Sequence, residues 1–206
     1  MSEANEANTA NEANTANEAN TVNTADSVIW APPPCSAAET TVITVFNQKG
    51  GIGKTTTSVN LATCLAASGF TVTLFDVDSQ SNAATSLGVL PTGAKGSYHV
   101  LKGEATLAEA AEATIFPGLS ICSAIDELAA IDLELAQENE PHLALRRGLA
   151  RGGMATDVVI IDCPPALGML PVNALIASHL VLMPVTPEPL AHDGLQMAWR
   201  HINRIQ

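Results

Sequence analysis

An α/β domain with a mainly parallel sheet flanked by helices, entered from a disordered amino-terminal tail, is what this sequence predicts. Three features carry that expectation. Runs rich in β-branched and large apolar residues at 41–46, 71–75 and 157–161 alternate with Ala- and Leu-rich segments of helical character. Apolar residues make up 47% of the chain but aromatics only 3%, so the core has to be built from Val, Ile, Leu and Ala, which suits a buried parallel sheet. Each strong run also ends on a glycine-rich loop or on Asp, and in such sheets ligand chemistry gathers at the carboxyl ends of the strands.

Taken in order, residues 1–40 come first. Glu-Ala-Asn-Thr-Ala-Asn recurs at 6–11 and 12–17, then at 18–23 with Val22 in place of Ala. The repeat offers only Ala and one Val for burial, too little to offset the entropy of ordering it. Six residues is too short a period for helical solenoids, and the unit lacks the large apolar residue that a hexapeptide β-helix stacks. A disordered tail, closed by Pro32-Pro33-Pro34, is therefore expected. The folded domain is expected to run from 41 to 206. Strands are expected at 41–46, 71–75, 119–122, 157–161 and 179–183. Helices are expected at 56–68, 97–102, 107–114, 126–137, 141–150, across 174–177 and at 190–205.

Charge narrows the function. All six charged residues of 1–40 are acidic, which leaves 15 acids against 9 bases, a formal −6, in 41–206. No basic stripe of the kind that binds nucleic acid stands out, and Arg146, Arg147 and Arg151 read as a solvated helix face. Four cysteines and five histidines lack metal-ligand spacing; Cys64 and Cys163 read as small buried hydrophobes. No signal peptide opens the chain and no apolar run approaches about 20 residues, so a cytoplasmic protein is expected.

The chemistry concentrates in Lys49-Gly50-Gly51-Ile52-Gly53-Lys54-Thr55-Thr56, set between a strand and a helix. Backbone N–H groups of such a loop converge on one concavity, and the helix start adds partial positive charge, which makes a phosphate cradle: the P-loop of an NTPase. Gln48 stands where the standard pattern has its first Gly, so this loop departs from G-x-x-x-x-G-K-[ST]. Lys54 is expected to reach the β- and γ-phosphates, Thr55 to give its hydroxyl to Mg²⁺ and Thr56 to reach the α-phosphate. A glycine turn with incidental lysines would not explain two lysines around three glycines in this context. Asp76 and Asp78 end one strand and Asp162 another; Asp162 is expected to hold Mg²⁺, often through water, and Asp78 to orient the attacking water.

Lys49–Thr56, the stretch Phe75-Asp76-Val77-Asp78-Ser79-Gln80-Ser81-Asn82-Ala83 and Ile161-Asp162-Cys163-Pro164-Pro165-Ala166-Leu167-Gly168 together resemble the ParA family. These are the deviant Walker A ATPases of plasmid and chromosome partition, related to MinD. The likeness runs through 41–206. It implies a Mg·ATP-binding ATPase, an ATP-dependent homodimer and a ParB-like centromere-binding partner. It further implies that Lys49 crosses to the partner's nucleotide, that Asp78 acts on the water and that Asp162 is the Walker B acid. Non-specific DNA is a further implied partner; no membrane is expected. Two residues depart from the pattern: Ser79 stands for Pro and Ser81 for Gly. Family members also continue past a point like Gln206 with a part that carries adenine contacts and basic surface, so a chain truncated at its carboxyl end is expected. Two other readings stand beside this one, a non-catalytic interaction module and a MinD-like membrane-placed ATPase using 190–205.

Overall fold

The computed structural model describes residues 40–90, 95–152, 155–166 and 168–187. The expected tail (all but Thr40) and the expected closing helix at 190–205 lie outside them.

Among the described residues, five of six strands run parallel. The runs expected from β-branched residues form β1 (Thr41–Val45), β2 (Val72–Asp76), β4 (Leu119–Cys122), β5 (Val158–Asp162) and β6 (Leu180–Leu182). Their order across the sheet is β3-β4-β2-β5-β1-β6, with β3 (Glu112–Ala113) antiparallel to β4 at one edge. The chain thus leaves β1 for β2 and later returns to insert β5 between them. That insertion is what builds the site, because it sets the carboxyl ends of β1, β5 and β2 side by side: Asp162 is in register with Val45 on one neighbour and with Asp76 on the other.

Alternating residues of the strands feed two cores. Val45, Leu74, Val158 and Ile160 pack under helix α1 (Lys54–Ala67), whose buried face after Lys54 consists of the small residues Ser58, Ala62 and Ala66. Phe46, Phe75, Val159 and Ile161 fill the opposite face, against α3 (Ser97–Lys102), α6 (Ala144–Ala150) and α7 (Met169–Ala177). Buried Asn173 on α7 ties that layer together. Its amide donates to the carbonyls of Pro141 and Met169, and its oxygen accepts the Leu145 N–H at 3.0 Å.

Four expectations are corrected. The segment expected as a helix over 107–114 is helical only in α4 (Leu107–Ala110), capped by Thr106 and Glu109, and then turns into β3. The unpaired edge of β4 offers Glu112 and Ala113 a hydrogen-bonded partner that local propensity does not register. The helix expected over 126–137 is a 3₁₀ turn at Asp126–Ala130 followed by α5 (Ile131–Leu135). Cys64 is exposed rather than buried, while Cys122 and Cys163 are buried free thiols. Arg147 and Arg146 are exposed as expected, but Arg151 follows α6 and bonds the Gly103 carbonyl. Among the described residues no helix is long and apolar enough to cross a membrane.

Candidate functional site

The loop after β1 runs straight into α1. Gly53 is its N-cap, in the left-handed region at φ 88°, and Gly51 has φ 70°; an L side chain at either position would be strained. A Cβ at Gly50, Gly51 or Gly53 would meet nothing within 4 Å, so the loop encloses open space. No side chain caps α1 and no acid stands in its first turn. The first N–H groups of a 14-residue helix are therefore left to an anion.

Gly50, Gly51, Gly53, Lys54, Thr55 and Thr56 line one cleft of about 530 Å³, together with Asp78, Gln80, Asn82, Ser86 and Pro165. Lys54 is only 7% exposed, and its Nζ donates to the Lys49 carbonyl at 3.1 Å. Burial holds the Lys54 ammonium below its ordinary pKa, while the nearby Asp162 and Asp78 pull the other way. Two residues of the expected loop, Lys49 and Ile52, are not among those lining the cleft, and Lys49 is exposed.

The acids occupy different environments. Asp162 is buried at the end of β5, where Oδ1 accepts the Ser58 hydroxyl at 2.8 Å and Oδ2 has no partner among the described residues. Burial raises its pKa, opposed by hydrogen bonding from Thr55 and Ser58. Asp76 is wholly buried and pushed up to about 8, first by desolvation. Its Oδ1 accepts the Asp78 N–H at 2.9 Å, which fixes the backbone that presents Asp78 to the cleft. Asp78 in turn accepts the Gln80 N–H on its side chain and the Ser81 N–H on its carbonyl, closing a tight turn.

That turn leaves Ser81 in the left-handed region at φ 50°, and its hydroxyl is buried without a partner among the described residues. A non-glycine residue there costs about 1 kcal/mol. Ser81→Gly should therefore raise stability by roughly 0.5–1 kcal/mol, read as a shift of the urea midpoint, because the strain relieved outweighs the added freedom of the unfolded chain.

Could this donor set take Mg²⁺? Among the described residues no three His, Cys, Asp or Glu side chains come close enough to hold a metal by themselves. Mg²⁺ does not need them, since it keeps several waters and completes its shell with phosphate oxygens. The Thr55 hydroxyl beside Asp162, with Oδ2 of that acid buried and without a partner among the described residues, fits such a partial shell.

Two contributors escape a reading of the sequence. Asn47, 4% exposed, accepts the Lys49 N–H on its side chain at 3.0 Å and donates to the Pro184 carbonyl at 2.8 Å. Its partner lies 137 residues away, so nothing local reveals the bond. Ser58 does leave a trace, standing one helical turn after Lys54 on the buried face of α1.

Known proteins resemble this chain. A family model described as "AAA domain" matches residues 40–206. The chromosome partitioning protein ParA of Caulobacter vibrioides is 41% identical over 174 residues, covering 83% of this chain and 65% of that protein. The sporulation initiation inhibitor protein Soj of Bacillus subtilis is 39% identical over 166 residues, 80% of this chain and 66% of that one. The chain thus spans about two thirds of the length of these curated relatives. Among solved structures, the cobyrinic acid a,c-diamide synthase of Mycobacterium smegmatis with bound ATP analogue and magnesium superposes with a TM-score of 0.76. It is 38% identical, with 82% of this chain and 69% of that one covered. A family match over 40–206, read with the identity to ParA and Soj, makes this chain a member of the ParA family, within the AAA-domain class.

Proposed function

We propose that this chain binds Mg·ATP in the cleft above α1 and hydrolyses it as an ATP-dependent homodimer in plasmid or chromosome partition. One observation carries the reading: the uncapped, glycine-walled start of α1 lies beside two strand-end acids, one buried and one lining the same cleft. The partition proteins among its relatives and the ATP analogue and magnesium in the Mycobacterium smegmatis structure support it. A ParB-like protein as stimulating partner and DNA as the surface on which the dimer works follow from the same kinship and belong to the proposal.

Each residue has a definable task. Gly50, Gly51 and Gly53 let the backbone approach the phosphates, and the N–H groups of Lys54, Thr55 and Thr56 bind them. Lys54 exchanges the Lys49 carbonyl for phosphate oxygen, replacing a neutral acceptor by a charged one. Thr55, Asp162 and Asp78 hold the metal and its waters, and Asp78 orients the attacking water. Mg²⁺, when bound, supplies charge neutralisation at the β- and γ-phosphate oxygens. Lys49, exposed and outside its own cleft, is the group that reaches the nucleotide of a second copy.

Equilibrium binding of Mg·ATP tests this directly. Lys54→Ala removes a buried charge-assisted hydrogen bond and should weaken affinity roughly 10- to 100-fold. Unchanged affinity in a folded variant would remove the cleft as the nucleotide site.

A further inference from the structure

Ser58 belongs to no part of the phosphate loop, yet it is fully buried against Asp162. Its Oγ lies 2.8 Å from Asp162 Oδ1 and 3.0 Å from the Lys54 carbonyl. A serine inside a helix ordinarily rests its hydroxyl on the carbonyl four residues back. Here one proton has two acceptors, and chemistry ranks them. The Lys54 carbonyl already receives a helical N–H from the backbone ladder of α1. The carboxylate is buried, charged and closer, so it takes the proton in a charge-assisted bond.

The consequence is geometric. Asp162 ends a strand and has one free side-chain rotation about the carboxyl group. With Oδ1 held by a side chain of α1, the plane of the carboxylate is fixed relative to the very helix that begins at Lys54 and Thr55. Oδ2 remains without a partner among the described residues. Resting on the Mg·ATP reading above, we propose that Ser58 is a positioning residue of the magnesium site: its hydroxyl clamps Asp162 Oδ1 to α1 and reserves Oδ2 for the metal's water shell. Ser58 touches neither nucleotide nor metal and acts only through Asp162. Partners of this kind, which orient a ligand from behind, typically govern metal affinity by 10- to 100-fold.

The test separates metal from nucleotide. ATP binding to the 206-residue chain is measured by calorimetry in EDTA and across a Mg²⁺ titration, for wild type, Ser58→Ala, Asp162→Asn and the double variant, each checked for folding by near-UV circular dichroism. Ser58→Ala should leave affinity in EDTA within about twofold of wild type and raise the Mg²⁺ needed for half-maximal enhancement about tenfold. In the double variant Ser58→Ala should add nothing to the loss caused by Asp162→Asn, because its only route of action is gone. A Ser58→Ala chain with the wild-type Mg²⁺ dependence, or losses that add in the double variant, would overturn the inference and leave the nucleotide site intact. A wild-type chain that binds ATP equally with and without Mg²⁺ would overturn the Mg·ATP reading and this inference with it.

Discussion

Lys49→Ala should cut ATP turnover about a thousandfold while leaving the affinity of the isolated chain for Mg·ATP nearly unchanged, as removal of an arginine finger supplied in trans does. Its side chain is exposed and is absent from the wall of the cleft that its own loop forms, whereas Lys54, five residues on, is buried in that wall. In the proposed dimer this lysine stabilises charge on the nucleotide of the facing copy. The two lysines of one loop should therefore separate cleanly: Lys54→Ala lowers affinity, Lys49→Ala lowers the chemical step. Steady-state turnover across a range of chain concentrations, set beside calorimetric ATP affinity, checks it. If Lys49→Ala weakened binding as much as turnover, the residue would be acting within its own cleft.

The second large effect concerns stability rather than turnover. Asp76 is wholly buried, its Oδ2 has no partner among the described residues, and desolvation carries its pKa to about 8. In the unfolded chain the same carboxyl ionises near the ordinary value of about 3.9. Between these two values the folded state holds a proton that the unfolded state has released. Stability contributed by this group is thus complete at low pH and drains away as pH rises through neutrality to about 8. Asp76→Asn keeps the acceptor for the Asp78 N–H and removes the ionisation. The variant should match wild type near pH 4 and exceed it by about 4 kcal/mol near pH 8 in the absence of nucleotide. Urea midpoints at several pH values provide the check; parallel profiles for the two chains would show that Asp76 is not neutral in the fold.

The strands were legible because a parallel sheet buried on both faces favours runs of β-branched and large apolar residues, and β1 (TVITV), β2 (VTLFD) and β5 (VVIID) are built mostly of them. The phosphate loop was legible for a different reason. Gly51 and Gly53 adopt a conformation that side chains resist, so the chemistry of the site is written into local backbone requirements. What escaped depends on partners distant in the chain. Glu112 and Ala113 become a strand only because β4 offers them an edge, and a local reading extends α4 through them instead. Asn47 and Asn173 are each fixed by hydrogen bonds to residues that no periodicity connects to them. Asp76 and Asp78 look alike as strand-end acids; only burial distinguishes the one whose pKa is pushed up from the one that lines the cleft.

The short reversed strand β3 also decides where this sheet can grow. Parallel strands recruit neighbours through long crossovers, and a bare parallel edge is a template for whatever extended chain drifts past. At the β4 side the template is covered by two residues of opposite polarity, half-buried Glu112 and exposed Ala113. A visiting strand meets an edge only two residues long with a carboxylate upon it, which is too little ladder to hold and the wrong direction to continue. Among the described residues the sheet therefore ends on that flank with its own chain, and assembly of one molecule with another is steered away from backbone pairing there and toward surfaces that side chains can specify.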